Sequence, residues 1–305
     1  MFLNYLIQMV KLTRAHIGVA VLPSFWLGFL FALLLGYQFD GFVFLIGFAI
    51  IFLMYASASY VNDYYDFEAD KHNHQFGFSG GSGVLQKYPM LKKPTLIVGF
   101  LFIIISLVLT SFLVYTMVLP WWAMLYIGVG SFFSWFYSAP PIRLCYRGVG
   151  ELPHFIAGLM NAGWGYMLLV GTIDGILIIF AIPLSLHLLC VILLFEIPDR
   201  EADIHGGKEN FIVKFGRKKA FSLVTLIFWM TTCYFSVLAW SGWYMQSVNF
   251  WLVAFLSMLP SVISTVVLIK RTEEKKKATR FAITSALSLF AFSIVVLAYF
   301  IYLVL

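Results

Sequence analysis

Asn62-Asp63-Tyr64-Tyr65-Asp66-Phe67-Glu68-Ala69-Asp70 closes a long apolar run and sets three aspartates and an asparagine at its polar edge. On a helix each residue turns roughly 100°. Asn62, Asp63, Asp66 and Asp70 then share an arc of about 100°, with Glu68 pointing well away. A second apolar run ends the same way, in Glu196-Ile197-Pro198-Asp199-Arg200-Glu201-Ala202-Asp203. Here Glu196, Asp199 and Asp203 fall within about 60° and Glu201 lies off that face. Clustered carboxylates repel one another unless a cation sits between them. Two such clusters, in a chain whose residues are only 11% charged, call for a shared cation.

The rest of the chain is membrane-like. Of its 305 residues 62% are apolar, which is bilayer composition rather than that of a soluble core. No Asp, Glu, Lys or Arg interrupts 15–39, 41–62, 94–142, 152–173, 175–195, 220–269 or 281–305. A spanning helix needs about 20 such residues. Two intervals hold a pair each, broken near Leu119-Pro120 and Ser241-Gly242, so the pattern predicts nine spans in a single membrane domain, 1–305. The first span is too long for a signal-peptide core and is expected to be retained.

Alternating nine spans sorts the connections into two sets. All 20 Lys and Arg fall in the N-terminus, 63–93, 139–151, 196–219 and 270–280. Segments 38–41, 117–120, 172–174 and 241–248 hold none. The positive-inside rule places the N-terminus and both acidic clusters on the cytoplasmic side. The net charge of +6 thus describes a membrane face, and no aromatic-basic nucleic-acid motif is present. Cys145, Cys190 and Cys233 have neither metal spacing nor a disulfide framework and are expected to be packing residues.

Other residues gather at the same side. Arg14, at the start of span 1, is either an interfacial anchor or a phosphate contact. The segment 76–83 is glycine-dense: it either turns backbone N–H groups onto an anion or serves as a flexible loop. His72 and His74 read as solvated loop residues. Pro140-Pro141 breaks span 4. It leaves Arg143 and Arg147 as bidentate phosphate ligands or as positive-inside charges. Span 5 opens on Glu151 and carries His154 and Asn161 at depth, where polar groups face a cavity or a neighbouring helix. Pro198 is expected to bend or end span 6. Lys208 and the Lys214–Lys219 segment add cations, whereas spans 7 to 9 and the 270–280 connection read as scaffold and anchor.

Mg²⁺ binds one or two carboxylates and completes its shell with water and substrate phosphate. Opposed aspartates with Arg and Lys nearby therefore form a diphosphate clamp, and a bilayer behind it suits a long apolar tail. A polyprenyl diphosphate joins that head to that tail. Metal and cations would draw off leaving-group charge, while an aromatic-rich core stabilises an allylic cation.

At these residues the chain resembles the UbiA superfamily of intramembrane prenyltransferases. Asn62-Asp63-xx-Asp66-xxx-Asp70 and Asp199-xxx-Asp203 match its paired aspartate motifs, and the likeness runs through nearly the whole chain. The resemblance implies an all-α membrane fold, with nine transmembrane helices in a barrel under a cytoplasmic cap. It implies a Mg²⁺-diphosphate site at Asn62, Asp66, Asp70, Asp199 and Asp203, with Asp63 beside them. Ser79-Gly80-Gly81-Ser82-Gly83-Val84-Leu85, Tyr146-Arg147-Gly148-Val149-Gly150-Glu151 and Gly207-Lys208-xx-Phe211-Ile212-Val213 look like the menaquinone-type branch. That branch prenylates 1,4-dihydroxy-2-naphthoate. The Arg-Pro-Leu/Ile-xx-Gly element of other branches is missing. Four positions depart from the branch: Gly83 stands for a frequent Arg, Ala15 for Pro, Glu196 for Asn and Asn210 for Thr.

The expectation is a Mg²⁺-dependent polyprenyltransferase. Asp66, Asp199 and Glu151 are its catalytic candidates, and Asn62, Asp63, Arg14, Arg143, Arg147 and Lys208 hold the substrate. Of the pair Glu151 and His154, Glu151 is favoured to face the aromatic acceptor; its alternative is local capping or pairing with Arg147. The same chemistry would serve another quinone, a lipid or a haem acceptor. A cation-coupled transporter fits poorly, since transporter sites lie near the midplane between repeats, and both clusters here end at one face.

Overall fold

The computed structural model describes residues 2–15, 17–18, 22–71, 78–79, 81–243 and 247–305. His72, His74 and residues 76, 77 and 80 of the glycine-dense segment lie outside them. The described residues are helical throughout, with no strand. We label the longer helices α1 (Phe2–Lys11), α2 (Pro23–Leu34), α3 (Gly41–Tyr65), α4 (Lys92–Tyr115), α5 (Ala123–Phe136), α6 (Glu151–Val170), α7 (Gly175–His205), α8 (Arg217–Trp240), α9 (Phe250–Ile269) and α10 (Lys275–Val304).

Among these, α3, α7, α8, α9, α10 and the stretch Pro89–Tyr115, which contains α4, are long and apolar enough to cross a membrane. α2 and α5 are shorter apolar helices. The two long charge-free intervals divide where expected, between Tyr115 and Ala123 and between Trp240 and Phe250. Helix starts follow local chemistry. Asp40 accepts the Phe42 and Val43 N–H groups at 2.9 and 3.0 Å, and Asp174 and Asn249 cap α7 and α9 in the same way. Each satisfies donors that the first helical turn leaves free. Pro23 opens α2, where its missing N–H costs nothing.

Pro198 does not end its span. α7 runs through both Pro183 and Pro198 to His205. Pro198 is buried, and the Ile197 carbonyl beside it accepts from Arg217 Nε at 2.8 Å. Pro198 leaves the Leu194 carbonyl without its helical donor, and the helix continues because this turn is buried in the fold.

Two apolar clusters share α2 and α6. One gathers α7 to α10 around Leu188, Phe228 and Phe292; the other gathers α3 and α5 around Ile50, Met54 and Ile127. α2 and α6 meet closely because Gly28 faces the Ala162 backbone and Gly165 faces the Phe25 backbone. Any Cβ at those points would collide, which is the small-residue packing that helices use in lipid. Polar side chains add lateral bonds: Trp164 Nε1 donates to the Gly47 carbonyl at 2.9 Å, and Thr232 pairs with Ser257 and Ser261 between α8 and α9. A third, smaller cluster of Leu12, Tyr60, Val84, Leu85 and Leu91 lies under the 81–91 segment. A cavity opens between the two large clusters, walled by α3, α5, α6 and α7.

Candidate active site

α3 ends at Tyr65, and Asp66 leads directly into a short helix, Phe67–Asp70. The Asp66 N–H bonds the Asn62 carbonyl and the Asp70 N–H bonds the Asp66 carbonyl, each at 2.8 Å. Helical spacing therefore continues, and Asn62, Asp66 and Asp70 stay on one face. Asn62 Nδ2 donates to Asp66 Oδ2 at 2.8 Å and to Ser138 Oγ at 2.9 Å. Glu68 is exposed and pairs with Lys71 at 2.7 Å. The end of α7 brings the second cluster opposite. Ser79 Oγ donates to Asp199 Oδ1 at 3.0 Å, and Asn210 Nδ2 donates to Asp203 Oδ2 at 2.7 Å. Glu201 turns outward to Arg217.

Lys208 joins the clusters. Its Nζ lies 2.8 Å from Asp66 Oδ2 and 3.2 Å from Asp203 Oδ1. Burial works against its charge, but the Asp203 and Asp66 carboxylates prevail and hold the ammonium well above its ordinary pKa. Asp70 moves the other way: burial first, then the Asp66 charge, raise its carboxyl from 3.8 to about 6. Tyr146 donates to Asp66 Oδ1 at 2.6 Å, and burial with the Asp66 charge keeps the phenol protonated. Gly81 has φ +78°, and a Cβ there would drive into the Asp70 carboxylate, whose Cγ would be 2.9 Å away. Glycine is what lets this loop approach.

Two arginines are held in left-handed backbone, Arg14 at φ 48° and Arg143 at φ 49°. Such geometry costs a non-glycine residue about 1–2 kcal/mol, and it persists where surroundings impose it. Arg14 pairs with Asp63 and donates to Asn62 Oδ1 at 3.2 Å, while Ser82 also donates to Asp63. The Arg143 guanidinium lies 3.7 Å over the Tyr146 ring. The Nε atoms of both arginines are buried without a partner.

These groups form the polar mouth of a cavity of about 260 Å³. Asn62, Asp66, Asp70, Asp199, Asp203 and Lys208 line it. Its inner wall is apolar, with Ile51, Met54, Ile127, Phe133 and Met160. Among the described residues no three carboxylate, imidazole or thiol side chains converge tightly enough to hold one ion as they stand; the Lys208 ammonium occupies the space between Asp66 and Asp203.

The UbiA prenyltransferase family model matches residues 20–294. The chain belongs to the UbiA prenyltransferase family. With its long apolar helices it is an integral membrane protein, and its activity is prenyl transfer. None of the curated proteins matches the chain. A solved UbiA homolog from Archaeoglobus fulgidus, bound to DMAPP and Mg²⁺, superposes with TM-score 0.66 at 16% identity, over 95% of this chain and 99% of that one. The same homolog bound to GPP and Mg²⁺ gives the same values. The apo UbiA homolog from Aeropyrum pernix K1 gives TM-score 0.64 at 15% identity, over 91% and 96%. At such identities the likeness concerns the fold.

Within this UbiA chain the structure brings Asn62, Asp63, Asp66, Asp70, Asp199, Asp203, Arg14 and Lys208 to one mouth. Arg143 reaches it through Tyr146. Arg147 is exposed and donates to the Pro141 carbonyl at 2.7 Å, off the cavity. Glu151 Oε1 accepts the N–H of Phe211, 60 residues along the chain, at 2.5 Å, and Glu151 is not among the lining residues. His154 does line the cavity, with its Nδ1 3.1 Å from the Gly150 carbonyl. Sequence reading gave no role to Tyr146, Ser79, Ser82 or Ser138. A hydroxyl among glycines and a tyrosine between two arginines were the available signals.

Proposed function

We propose that this UbiA prenyltransferase moves a polyprenyl group from a polyprenyl diphosphate to an aromatic acceptor, and that the acceptor is 1,4-dihydroxy-2-naphthoate, as in menaquinone biosynthesis. The carrying observation is the cavity itself: opposed carboxylates and cations at its mouth, and an apolar wall behind them. The donor set suits Mg²⁺, whose preferred ligands are hard carboxylate oxygens. The Lys208 ammonium, sharing Asp66 and Asp203, stands in for such a cation. Asn62, Asp66, Asp70, Asp199 and Asp203 would hold the metal, which supplies Lewis-acid charge for the diphosphate. DMAPP and GPP with Mg²⁺ in the Archaeoglobus fulgidus homolog support this reading.

The chain's own groups then divide the work. Arg14 and Arg143, whose Nε donors lack partners, take diphosphate oxygens as charge builds there. Lys208 neutralises leaving-group charge, and Tyr146 keeps Asp66 in place. The apolar wall holds the tail and keeps water from the allylic carbon. When the allylic C–O bond breaks, the diphosphate leaves with the electron pair, an electron-rich ring carbon forms the new C–C bond, and that carbon gives up its hydrogen as a proton to the diphosphate or to water. The branch assignment rests on the resemblance of the 79–85, 146–151 and 207–213 segments. We place the site on the cytoplasmic side of a nine-span barrel formed by the single domain 1–305, because every Lys and Arg falls in alternate connections.

The test is direct. Purified protein with Mg²⁺, a labelled prenyl diphosphate and a panel of aromatic acceptors is read by mass spectrometry. Prenylated 1,4-dihydroxy-2-naphthoate is expected. Efficient prenylation of another acceptor, with none of this one, overturns the branch; full activity in EDTA overturns the clamp.

A further inference from the structure

Among the described residues, seven buried side-chain polar atoms have no hydrogen-bond partner. Only two of them belong to residues that line the main cavity, Arg14 and Glu196. Their chemistry is opposite. Arg14 Nε is a donor, and a diphosphate oxygen satisfies it. Glu196 Oε2 is a carboxyl oxygen, and a hydroxyl hydrogen satisfies it as an acceptor. A hydrocarbon tail offers it nothing.

Glu196 lies one helical turn before Asp199 on α7 and is only 7% exposed. The charged groups around it are Glu151 from α6, Asp203 and Asp199 from its own helix, and the single cation Lys208. Lys208 is already shared by Asp66 and Asp203. Ile192 and Phe195 on α7 and Ala157 on α6 line the same cavity. A buried carboxyl without a partner costs stability, and an apolar side chain of similar size would cost less. Packing therefore gives no reason for a glutamate here.

We propose that Glu196 binds the acceptor: its carboxyl takes the hydroxyl hydrogen of a hydroxyarene and seats that ring between the clamp and the apolar wall. This rests on the prenyltransferase reading of the cavity and deepens it, because it assigns the second substrate's subsite to α7 rather than to Glu151. The hydrogen bond also pushes electron density from the phenolic oxygen into the ring, toward the carbons ortho and para to it. Those are the positions that attack an allylic cation. With acids on three sides of Glu196, an acceptor that bears a carboxylate must turn it away and present its hydroxyl.

The experiment compares each acceptor with its mono-O-methyl ether, which keeps the ring and removes the donor. The full-length protein is used with Mg²⁺ and a prenyl diphosphate. In the wild type, masking the correct hydroxyl should lower kcat/KM by about tenfold or more, the loss expected when a buried polar group is left without its partner. In Glu196→Gln the free hydroxyarene should lose about tenfold, and the ether should fall within about threefold of it. The KM for prenyl diphosphate should stay within about twofold. Glu196→Leu should show the same loss of discrimination at an equal or higher Tm, which a structural role would not give.

Equal discrimination in wild type and variants overturns the proposal. So does a raised KM for prenyl diphosphate or for Mg²⁺ with acceptor kinetics intact, which would place Glu196 in the clamp. If 1,4-dihydroxy-2-naphthoate is idle while another hydroxyarene is prenylated, the branch reading falls alone, and the comparison is made on that acceptor. If acceptors are prenylated regardless of any hydroxyl, the Glu196 subsite falls and the transferase reading stands.

Discussion

The last turns of α7 carry acids on two faces, and the protein treats them in opposite ways. On the outer face Glu201 meets Arg217, which is 1% exposed. Nη1 and Nη2 reach the Glu201 carboxylate at 2.7 and 2.6 Å, Nη1 also donates to the Glu273 carbonyl at 3.1 Å, and Nε donates to the Ile197 carbonyl at 2.8 Å. Lys275 adds a second cation 3.7 Å from Glu201, so every guanidinium nitrogen has a partner and the acid has more than one. On the inner face Glu196, Asp199 and Asp203 look across to Asp66 and Asp70, and Lys208 is shared among them. A buried charge whose partners are complete is a structural pin. A surplus of buried carboxylates around one ammonium is a demand for further cations, and the substrate complex can bring them.

The strongest way to break this comparison is to remove an inner acid. Asp66→Ala or Asp199→Ala should cut prenyl transfer by about 100-fold or more, the scale of losing a main electrostatic contact to a developing charge. The Tm of the metal-free protein should hold or rise, since one member of a repelling group is gone. Near-normal turnover in either variant would mean that the inner face is not the clamp.

The outer face should respond in the reverse sense. Glu201→Ala leaves a nearly inaccessible guanidinium without its carboxylate. The arginine is buried and the glutamate half-exposed, so the loss is on the order of 1–3 kcal/mol. Thermal unfolding should detect it, while kcat per folded molecule stays near wild type. A variant with normal Tm and poor kcat would merge the two faces into one functional network.

Much of this division was legible in the sequence. The 100° rule placed Glu68 and Glu201 off their clusters, and each pairs with a nearby cation outside the cavity. The break points near Leu119-Pro120 and Ser241-Gly242 followed from charge-free intervals long enough for two spans each. What could not be read was who partners whom across the fold. By sequence Glu151 is favoured to face the acceptor, with local capping or pairing with Arg147 as the alternative, but it accepts the N–H of Phe211, 60 residues away. Pro198 looked like a bend or an end of the span, yet α7 continues past it to His205 with that turn buried in the fold. Arg143 and Arg147 are four apart and indistinguishable by charge, and only the stack on Tyr146 separates them.

A smaller effect follows from Asp70. Its carboxyl is raised to about 6 in the folded protein, by burial and then by Asp66, from an ordinary 3.8. The native state therefore holds this proton at pH values where the unfolded chain has lost it. Stability of the metal-free protein should fall as pH rises through roughly 4 to 6 and recover on acidification, by on the order of 1–3 kcal/mol. Thermal melts across this range, with and without Mg²⁺, check it. In Asp70→Asn the slope should flatten; the same slope in Asp70→Asn assigns it to another group.

The two arginines of the 139–151 connection sharpen the comparison at its finest scale. Both sit on the basic side of the membrane, so the positive-inside rule alone would make them equal. The structure does not. Arg143 is half-buried in left-handed backbone, its guanidinium lies on the Tyr146 ring that bonds Asp66, and its Nε lacks a partner. Arg147 is in solvent and bonds its own connection at Pro141. Exposed charge is screened within about 8–10 Å at ordinary ionic strength, so Arg147→Gln should leave the KM for prenyl diphosphate within about twofold. Arg143→Met should raise that KM by about three- to tenfold, since it removes a donor to phosphate as well as a charge. Arg143→Lys should recover little of this loss, because an ammonium can neither stack flat on Tyr146 nor present a planar fork. Steady-state kinetics at two salt concentrations decide the matter. A larger effect from Arg147, declining with salt, would put diphosphate capture on the outer surface of the connection and leave Arg143 as packing for Tyr146.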